Sequence, residues 1–107
     1  MHAVFISFRS SANAEDLAEP FLQYANALRD GAIPGFCAKT WLANAELVGG
    51  FHVFESGDAA DRYLDEMFAP NVAANPAFTD IRIERFEVDE RMSAITNGLP
   101  APVSVPA

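Results

Sequence analysis

The chain has 107 residues and a net charge of −8, from seven lysine or arginine and fifteen aspartate or glutamate residues. A chain of this length suits a single domain that buries about two thirds of the surface that its unfolded form exposes. The negative field repels phosphate backbones and anionic lipids, and no apolar run approaches the roughly 20 residues that span a bilayer, so neither nucleic acid nor a membrane is an expected partner.

The first half of the chain is predicted to form a strand, a helix and a hairpin. Leu17, Phe21 and Leu28 recur at helical spacing, which gives the helix one apolar face. Gly49 and Gly50 stand at the start of the second hairpin strand and suggest a bulge or a close backbone approach. The predicted elements are a strand at residues 2–9, a helix at residues 14–29, and hairpin strands at residues 36–43 and 50–55.

The second half is predicted to form a helix and a final long strand. Ser56 is a suitable N-cap for the helix, and Pro70 is expected to end it. Ile81 and Ile83 share one phase of the strand while Phe86 has the other, which predicts a bulge near residues 84 and 85. The predicted elements are a helix at 58–68, an irregular crossing at 71–77, a strand at 78–88 and a short helix from the cap Asp89 to Ile95. These belong to a domain of residues 1–98, which a proline-rich tail at 99–107 follows.

The order β-α-β-β-α-β is typical of an α+β, ferredoxin-like fold with a four-stranded antiparallel sheet and both helices on one face. The strands are apolar on both faces, as residues 4, 5, 6 and 8 of the first strand illustrate. An uncovered apolar sheet face would exceed the few hundred Å² patch that a soluble monomer usually exposes. A second copy of the chain is therefore the expected cover, in a face-to-face homodimer with two-fold symmetry.

Cysteine and histidine usage argues against disulfides and metal centres. Cys37 is the only cysteine, so no intramolecular disulfide can form, and the N-terminus lacks a basic segment followed by a long apolar core. A reducing, cytoplasmic location is therefore expected. No spacing typical of metal ligands or of a phosphate-binding loop occurs, so neither a metal nor a nucleotide cofactor is expected.

The hairpin brings a cation, an indole and an imidazole into one short segment. Strand alternation puts Lys39 and Trp41 on one face of the first strand, and His52 and Phe54 on one face of the second. If Trp41 pairs with His52 across the ladder, then Lys39 pairs with Phe54 and all four side chains project the same way. A one-residue slip would separate the two sets.

Three hairpin residues are candidates for a ligand site, each with a structural alternative. His52 is a candidate catalytic acid or base because histidine ordinarily titrates near pH 7, and the alternative is a half-buried, hydrogen-bonded strand histidine. Trp41 would either stack on a flat aromatic ligand or pack in the core or the dimer interface. Lys39 would either bind a phenolate or carboxylate, or reach the surface and pair with an acid such as Glu55.

Three further side chains complete the predicted ligand site. Tyr63 lies on the apolar stripe of the second helix, where its hydroxyl needs a polar partner or a ligand. Phe54 would add an apolar wall. Arg85, like Arg9 and Arg82, is a strand cation that would stabilise a developing oxyanion if it pointed inward, and would otherwise pair with surface acids.

Four motifs in the chain resemble those of the YdhR-like monooxygenase family, in the same order and over roughly residues 34–98. They are Pro34-Gly35-Phe36-x-x-Lys39-x-Trp41, Gly49-Gly50-x-x-x-Phe54, Ala60-x-x-Tyr63-Leu64 and Phe86-x-Val88-x-Glu90-x-x-Ser93-x-Ile95. That family belongs to the dimeric α+β barrel superfamily, which also contains antibiotic-biosynthesis monooxygenases, heme-degrading monooxygenases and small isomerases. The resemblance therefore implies the homodimer independently of the apolar pattern.

The resemblance also implies an activity, namely cofactor-independent monooxygenation of a quinol-like or polycyclic aromatic molecule in an apolar cavity between sheet and helices. His52 would then act as the base, Lys39 or an inward arginine would stabilise the anion, and the aromatic residues would form the walls. The heme-degrading relatives use a histidine just beyond the second helix, and residues 68–78 contain none, so heme is not expected. Two alternatives stay open: a non-catalytic dimer that binds a small molecule or a partner, and a non-oxidative isomerase or cyclase.

Overall fold

The computed structural model describes residues 1–101 and contains one four-stranded antiparallel sheet in the order β2-β3-β1-β4, with its main helices packed on one face. The predicted α+β, ferredoxin-like fold is confirmed. Most of the predicted tail, from residue 102 onward, lies outside the described residues. The elements are β1 (His2–Ser10), α1 (Ala14–Arg29), β2 (Phe36–Ala43), β3 (Val48–Phe54), α2 (Gly57–Tyr63) continued by a π-helical segment (Leu64–Ala73), β4 (Phe78–Glu87) and α3 (Glu90–Ile95).

Helix α1 has the predicted bounds because local signals mark both of its ends. The Asn13 side chain accepts a hydrogen bond from the backbone N–H of Asp16 at 2.8 Å, which satisfies one of the free donors of the first turn. Arg29 lies in the last turn, where a cation interacts favourably with the helix dipole. Gly31 follows with φ at 91°, a conformation that suits glycine.

The hairpin register differs from the expected one by two residues and keeps the expected faces. Lys39 pairs with His52, and Trp41 pairs with Gly50. Because side chains alternate with a period of two, this offset leaves Lys39, Trp41, His52 and Phe54 on the same face of the sheet. Cys37 is the extra residue of a bulge between Phe36 and Ala38, so alternation does not fix its direction.

The two adjacent glycines lie inside β3, which begins at Val48 rather than at the predicted residue 50. A Cβ on Gly49 would lie 2.0 Å from the backbone oxygen of Ile6, so β1 and β3 could not approach each other as they do with any larger residue there. The close backbone approach suggested by the glycine pair is therefore present. Pairing with β1 on one side and β2 on the other outweighs the weak strand propensity of glycine.

The second helix extends further than predicted. It begins at Gly57, capped by Ser56 as expected, but continues through Pro70 to Ala73 with wider π-helical turns. The backbone N–H of Ala74 reaches the carbonyl of Ala69 at 3.0 Å, a spacing of five residues. The predicted stop at Pro70 and the long crossing at 71–77 were wrong because burial of the apolar side chains of this segment, Met67, Phe68 and Val72, outweighs the helix-breaking tendency of proline.

The predicted bulge near residues 84 and 85 of β4 was also wrong. The ladder between β1 and β4 is irregular nearer the start of β4, between the pairs Ser7–Arg82 and Arg9–Thr79, where Asp80 has a φ of 53°. Ile6 pairs with Ile83 and Ala3 pairs with Phe86, so alternation from 83 to 86 is unbroken. The change of apolar phase arises because this strand contributes apolar side chains to both faces of the sheet.

The helices cover one face of the sheet and leave the other face exposed. The face under the helices holds the core, including Val4, Ile6 and Phe54, which are at most 2% exposed. On the other face, Leu42, Phe51 and Phe86 are 41%, 39% and 48% exposed. Among residues 1–101, no helix is both long and apolar enough to cross a membrane.

Candidate functional site

A cavity of about 550 Å³ lies between α1, the central strands and the π-helical segment. Its volume is within the range of pockets that hold small organic ligands, roughly 300–1,000 Å³. Aromatic rings from all three walls line it, and the structure thus provides flat apolar surfaces for a planar molecule. These rings belong to Phe8, Phe21, Tyr24, Trp41, Tyr63, Phe68 and Phe78.

Four of the six predicted site residues line this cavity together, namely Lys39, Trp41, His52 and Tyr63. Strand alternation directs the first three toward the helices, and α2 carries Tyr63 over them. Phe54 points to the same side but is fully buried, with its ring centroid 5.4 Å from that of Tyr63, and it does not reach the cavity. It supports Tyr63 from below.

The sixth predicted residue, Arg85, does not reach the cavity. Its Nη1 lies 2.6 Å from a carboxylate oxygen of Asp61, its Nε lies 2.9 Å from His2 Nε2, and its Nη2 donates to the Gly57 carbonyl at 3.2 Å. These contacts hold the guanidinium under the first turn of α2. Arg85 pairs with Val4 near the end of the sheet where α2 starts, and this position explains why its guanidinium binds groups of α2 and β1 instead of the cavity.

His52 is 1% exposed and both of its ring nitrogens have partners. Nδ1 lies 3.0 Å from the backbone oxygen of Val4, and Nε2 lies 3.2 Å from the hydroxyl of Tyr63. Burial, and secondarily the charge of Lys39, lower the pKa of His52 to about 3. The imidazole is therefore neutral at physiological pH, which differs from the freely titrating histidine that the sequence suggested.

The hydrogen bonds of His52 continue to a residue that the sequence did not single out. The hydroxyl of Tyr24 on α1 donates to the hydroxyl of Tyr63 at 2.8 Å, and Tyr24 lines the cavity. Burial raises the pKa of Tyr24 to about 12 and also raises the pKa of Tyr63, so both phenols are neutral. Tyr24 lies on the apolar stripe of α1, and only its polar tip distinguishes it from a core residue.

Lys39 is the only lysine of the chain and Trp41 is the only tryptophan. The ammonium nitrogen of Lys39 lies 3.6 Å from the ring centroid of Trp41 and 4.9 Å from that of Tyr24. It forms no ion pair with any acid of residues 1–101, including Glu55. Burial lowers the pKa of Lys39 to about 7, so near neutral pH it is present both as an amine and as an ammonium.

Gly50 makes room for this arrangement. A Cβ at this position would lie 2.7 Å from Cε of Lys39 and 3.1 Å from Cε1 of His52. A larger residue would therefore displace the lysine from the Trp41 ring.

Metal ligands are not grouped in the part of the chain that the structure describes. Within residues 1–101, no three histidine, cysteine, aspartate or glutamate side chains lie together so as to hold a metal ion. The cavity combines aromatic walls with one amine, a neutral imidazole and two phenols, and its lining also includes Asp16 and three amide side chains, those of Gln23, Asn71 and Asn75.

Several solved structures share this fold. A protein of unknown function from Nitrosomonas europaea, NE2512, is 24% identical, with a TM-score of 0.65 over 82% of this chain and 88% of that one. A putative antibiotic biosynthesis monooxygenase from Deinococcus radiodurans is 17% identical, with a TM-score of 0.65 over 82% and 92% of the two chains. SnoaB, a cofactor-independent oxygenase from Streptomyces nogalater, is 21% identical, with a TM-score of 0.62 over 81% and 92%.

The family assignment rests on the sequence of almost the whole domain. No curated protein matches the chain. Residues 4–99 match the model of the family described as putative mono-oxygenase ydhR, which confirms the resemblance drawn from the four motifs. The chain therefore belongs to the ydhR family of putative mono-oxygenases.

Proposed function

We propose that this protein oxygenates an electron-rich, planar aromatic molecule with dioxygen and without a bound cofactor. The observation that carries the proposal is the cavity itself, in which aromatic walls surround a lysine that has no acidic partner in residues 1–101. Family membership supports oxygenation, and the fold shared with SnoaB, an oxygenase described as cofactor-independent, supports a reaction in which the substrate supplies the electrons.

The reaction needs a substrate whose anion transfers electrons to dioxygen. For a polycyclic phenol whose keto form carries a CH₂ group, loss of the hydroxyl proton gives a delocalised carbanion. Dioxygen then converts the CH₂ carbon to a carbonyl: one oxygen atom forms the new C=O bond, the other leaves as water, and the substrate provides all four electrons. The protein must accept a proton, stabilise the anion and exclude bulk water.

Lys39 is the group best suited to the first two tasks. As an amine it accepts the phenol proton, and the resulting ammonium then neutralises the adjacent phenolate. A pKa of about 7 suits this role better than the pKa of about 3 of His52. At neutral pH such a base is partly unprotonated before the reaction, and it still binds the substrate proton firmly enough to retain it. His52, the base predicted from the sequence, would act behind Tyr63 as a hydrogen-bond acceptor, and Trp41 and Tyr63 would pack on the rings of the substrate.

Anthrone tests this proposal, because its enol tautomer is a polycyclic phenol and its oxidation product is anthraquinone. We expect anthraquinone formation above the buffer rate, with one dioxygen consumed per product and no hydrogen peroxide, in protein freed of metals and flavins. Lys39→Met should lower the rate by about 10²-fold or more, in keeping with the usual contribution of a general base. Arg85→Met, outside the cavity, is the matched control. Anthrone that binds without oxygen uptake would instead favour the non-catalytic binding protein, and a changed product without oxygen uptake would favour an isomerase or cyclase.

The same sheet would also form a homodimer through its outer face. Leu42, Phe51 and Phe86 occupy that face and are 41%, 39% and 48% exposed, and Phe5 lies between them. A soluble chain rarely leaves a large contiguous apolar patch uncovered. A second copy packed face to face would cover both patches at once.

A further inference from the structure

The hydrogen bonds that begin at Val4 have only one possible direction. The carbonyl of Val4 can only accept, so Nδ1 of His52, 3.0 Å away, carries a hydrogen and donates it. A neutral imidazole has one N–H, so Nε2 is the acceptor, and the Tyr63 hydroxyl, 3.2 Å away, must donate to it. The Tyr63 oxygen in turn accepts from Tyr24 at 2.8 Å.

The series ends at the hydroxyl oxygen of Tyr24, a residue that lines the cavity. Its only hydrogen is already donated to Tyr63, so it retains lone pairs and no donor. Reversal of the series would turn the lone pair of Nδ1 toward the carbonyl of Val4, in a site that is 1% exposed, and would leave that carbonyl without a donor. Tyr24 therefore presents a hydrogen-bond acceptor to the cavity, because the carbonyl of Val4 fixes the direction of every hydrogen bond in the series.

We propose that Tyr24 is a specificity-determining residue that selects aromatic ligands with a second hydroxyl group, which donates a hydrogen bond to its oxygen while the first oxygen lies at Lys39. This inference rests on the proposed function for the identity of the ligand as an aromatic molecule. The substrate class is thereby narrowed to dihydroxylated aromatics. A methoxy group or a quinone oxygen in place of the second hydroxyl offers only an acceptor, so it meets an acceptor at Tyr24 and the molecule binds more weakly.

Tyr63 is the positioning residue of this arrangement. It touches both Tyr24 and His52, and its ring packs on Phe54 and His52 at centroid distances of 5.4 and 5.0 Å. Without its hydroxyl, Tyr24 would no longer have an acceptor for its hydrogen and could donate that hydrogen to a ligand. Loss of the Tyr63 hydroxyl should therefore weaken the selectivity of Tyr24 although Tyr24 is still present.

The test is anaerobic binding of 1,5-dihydroxynaphthalene and of its monomethyl ether, measured by calorimetry, with quenching of Trp41 fluorescence to place the ligand in the cavity. Wild type should prefer the diol by about 10-fold, the size of one neutral hydrogen bond against an acceptor–acceptor contact. In Tyr24→Phe the two affinities should converge to within about 2-fold. In Tyr63→Phe the preference should fall because affinity for the ether rises, a gain that mere damage to the cavity could not give.

Three results would overturn this inference: equal affinity of wild type for the two probes, a preference unchanged in Tyr24→Phe, or no binding of the diol to folded wild type. The difference in bulk between the probes is present in every variant, so it cancels when the ratios are compared. The readout needs no turnover. An intact preference with no oxidation of anthrone or of 2-hydroxyanthrone, whose enol carries the second hydroxyl group, would reject the oxygenase and retain Tyr24 as the selective residue. Oxidation of either compound with no preference would retain the oxygenase and reject the role of Tyr24.

Discussion

Replacement of Lys39 by methionine should make the protein more stable, although it removes a polar group that lines the cavity. Lys39 is half-buried, has no ion-pair partner in residues 1–101 and has a pKa lowered to about 7 from its ordinary value of 10.5. Between these two values the unfolded chain binds more protons than the folded chain, so the free energy of unfolding of wild type rises with pH. Methionine keeps the length and apolar character of the side chain without the charge.

The size of the effect follows from the two pKa values. A folded-state pKa of about 7 against 10.5 in the unfolded chain corresponds to about 4 kcal/mol of destabilisation at pH 7 and about 2 kcal/mol at pH 9. Partial exposure of the Lys39 side chain to solvent and the cation–π contact with Trp41 reduce these values, and we expect about half of each. Lys39→Met should therefore exceed wild type by about 2 kcal/mol at pH 7 and by about 1 kcal/mol at pH 9.

Urea unfolding followed by the fluorescence of Trp41 at several pH values from 6 to 9 measures this difference. His52, with a pKa of 6.5 when free and about 3 in the folded chain, also makes the stability depend on pH up to about pH 7.5, but it does so in wild type and variant alike and largely cancels in their difference. Lys39→Arg is the matched control: its cation does not titrate, so wild type should gain stability over it as the pH rises. A methionine variant that is less stable than wild type, or a difference that stays constant from pH 6 to 9, would refute the burial of a titrating amine.

Four other variants test the sheet and the surroundings of the cavity. Gly49→Ala should lower the free energy of unfolding by about 2–4 kcal/mol in a urea titration, because its Cβ meets the backbone of Ile6. Gly50→Ala should fold but lose about 10-fold in calorimetric affinity for the diol, because its Cβ displaces Lys39. Equal losses of stability in the two variants would contradict this distinction. Phe51→Asp on the outer sheet face should convert a dimer to a monomer in light scattering, and an unchanged mass would place the interface elsewhere. Arg85→Met should lower stability by about 1 kcal/mol through its lost contacts with Asp61 and Gly57, with ligand affinity changed less than 2-fold.

The sequence predicts best where a local signal and the tertiary structure agree. Asn13 and Gly31 bracket α1, and the predicted bounds match those of the structure. The shared face of Lys39 and His52 was also predictable, although the register was not. An error of two residues in register does not change which face a side chain occupies, whereas an error of one would have reversed it.

The remaining features depend on contacts between segments that are distant in the sequence. The helix runs through Pro70 because three apolar neighbours in its own segment are buried, which the local sequence around a proline does not reveal. Arg85 on β4 is held by Asp61 on α2 and His2 on β1, so no pattern within β4 could indicate that it does not reach the cavity. Tyr24 was hidden for the same reason, since its partner Tyr63 lies 39 residues farther along the chain.

The low pKa values of Lys39 and His52 are two aspects of one electrostatic arrangement. The residues pair directly across the β2–β3 ladder, and the charge of Lys39 is one reason that the pKa of His52 is low. Because each cation would repel the other in a partly desolvated site, the cavity can hold one positive charge and not two. His52 is the more buried, and its hydrogen bonds are already those of the neutral ring, so the charge falls on Lys39. Lys39 and His52 thus carry at most one positive charge between them, and the fraction of Lys39 that is an amine at pH 7 becomes cationic when a ligand delivers a proton there, which is the condition that a reaction through an aromatic anion requires.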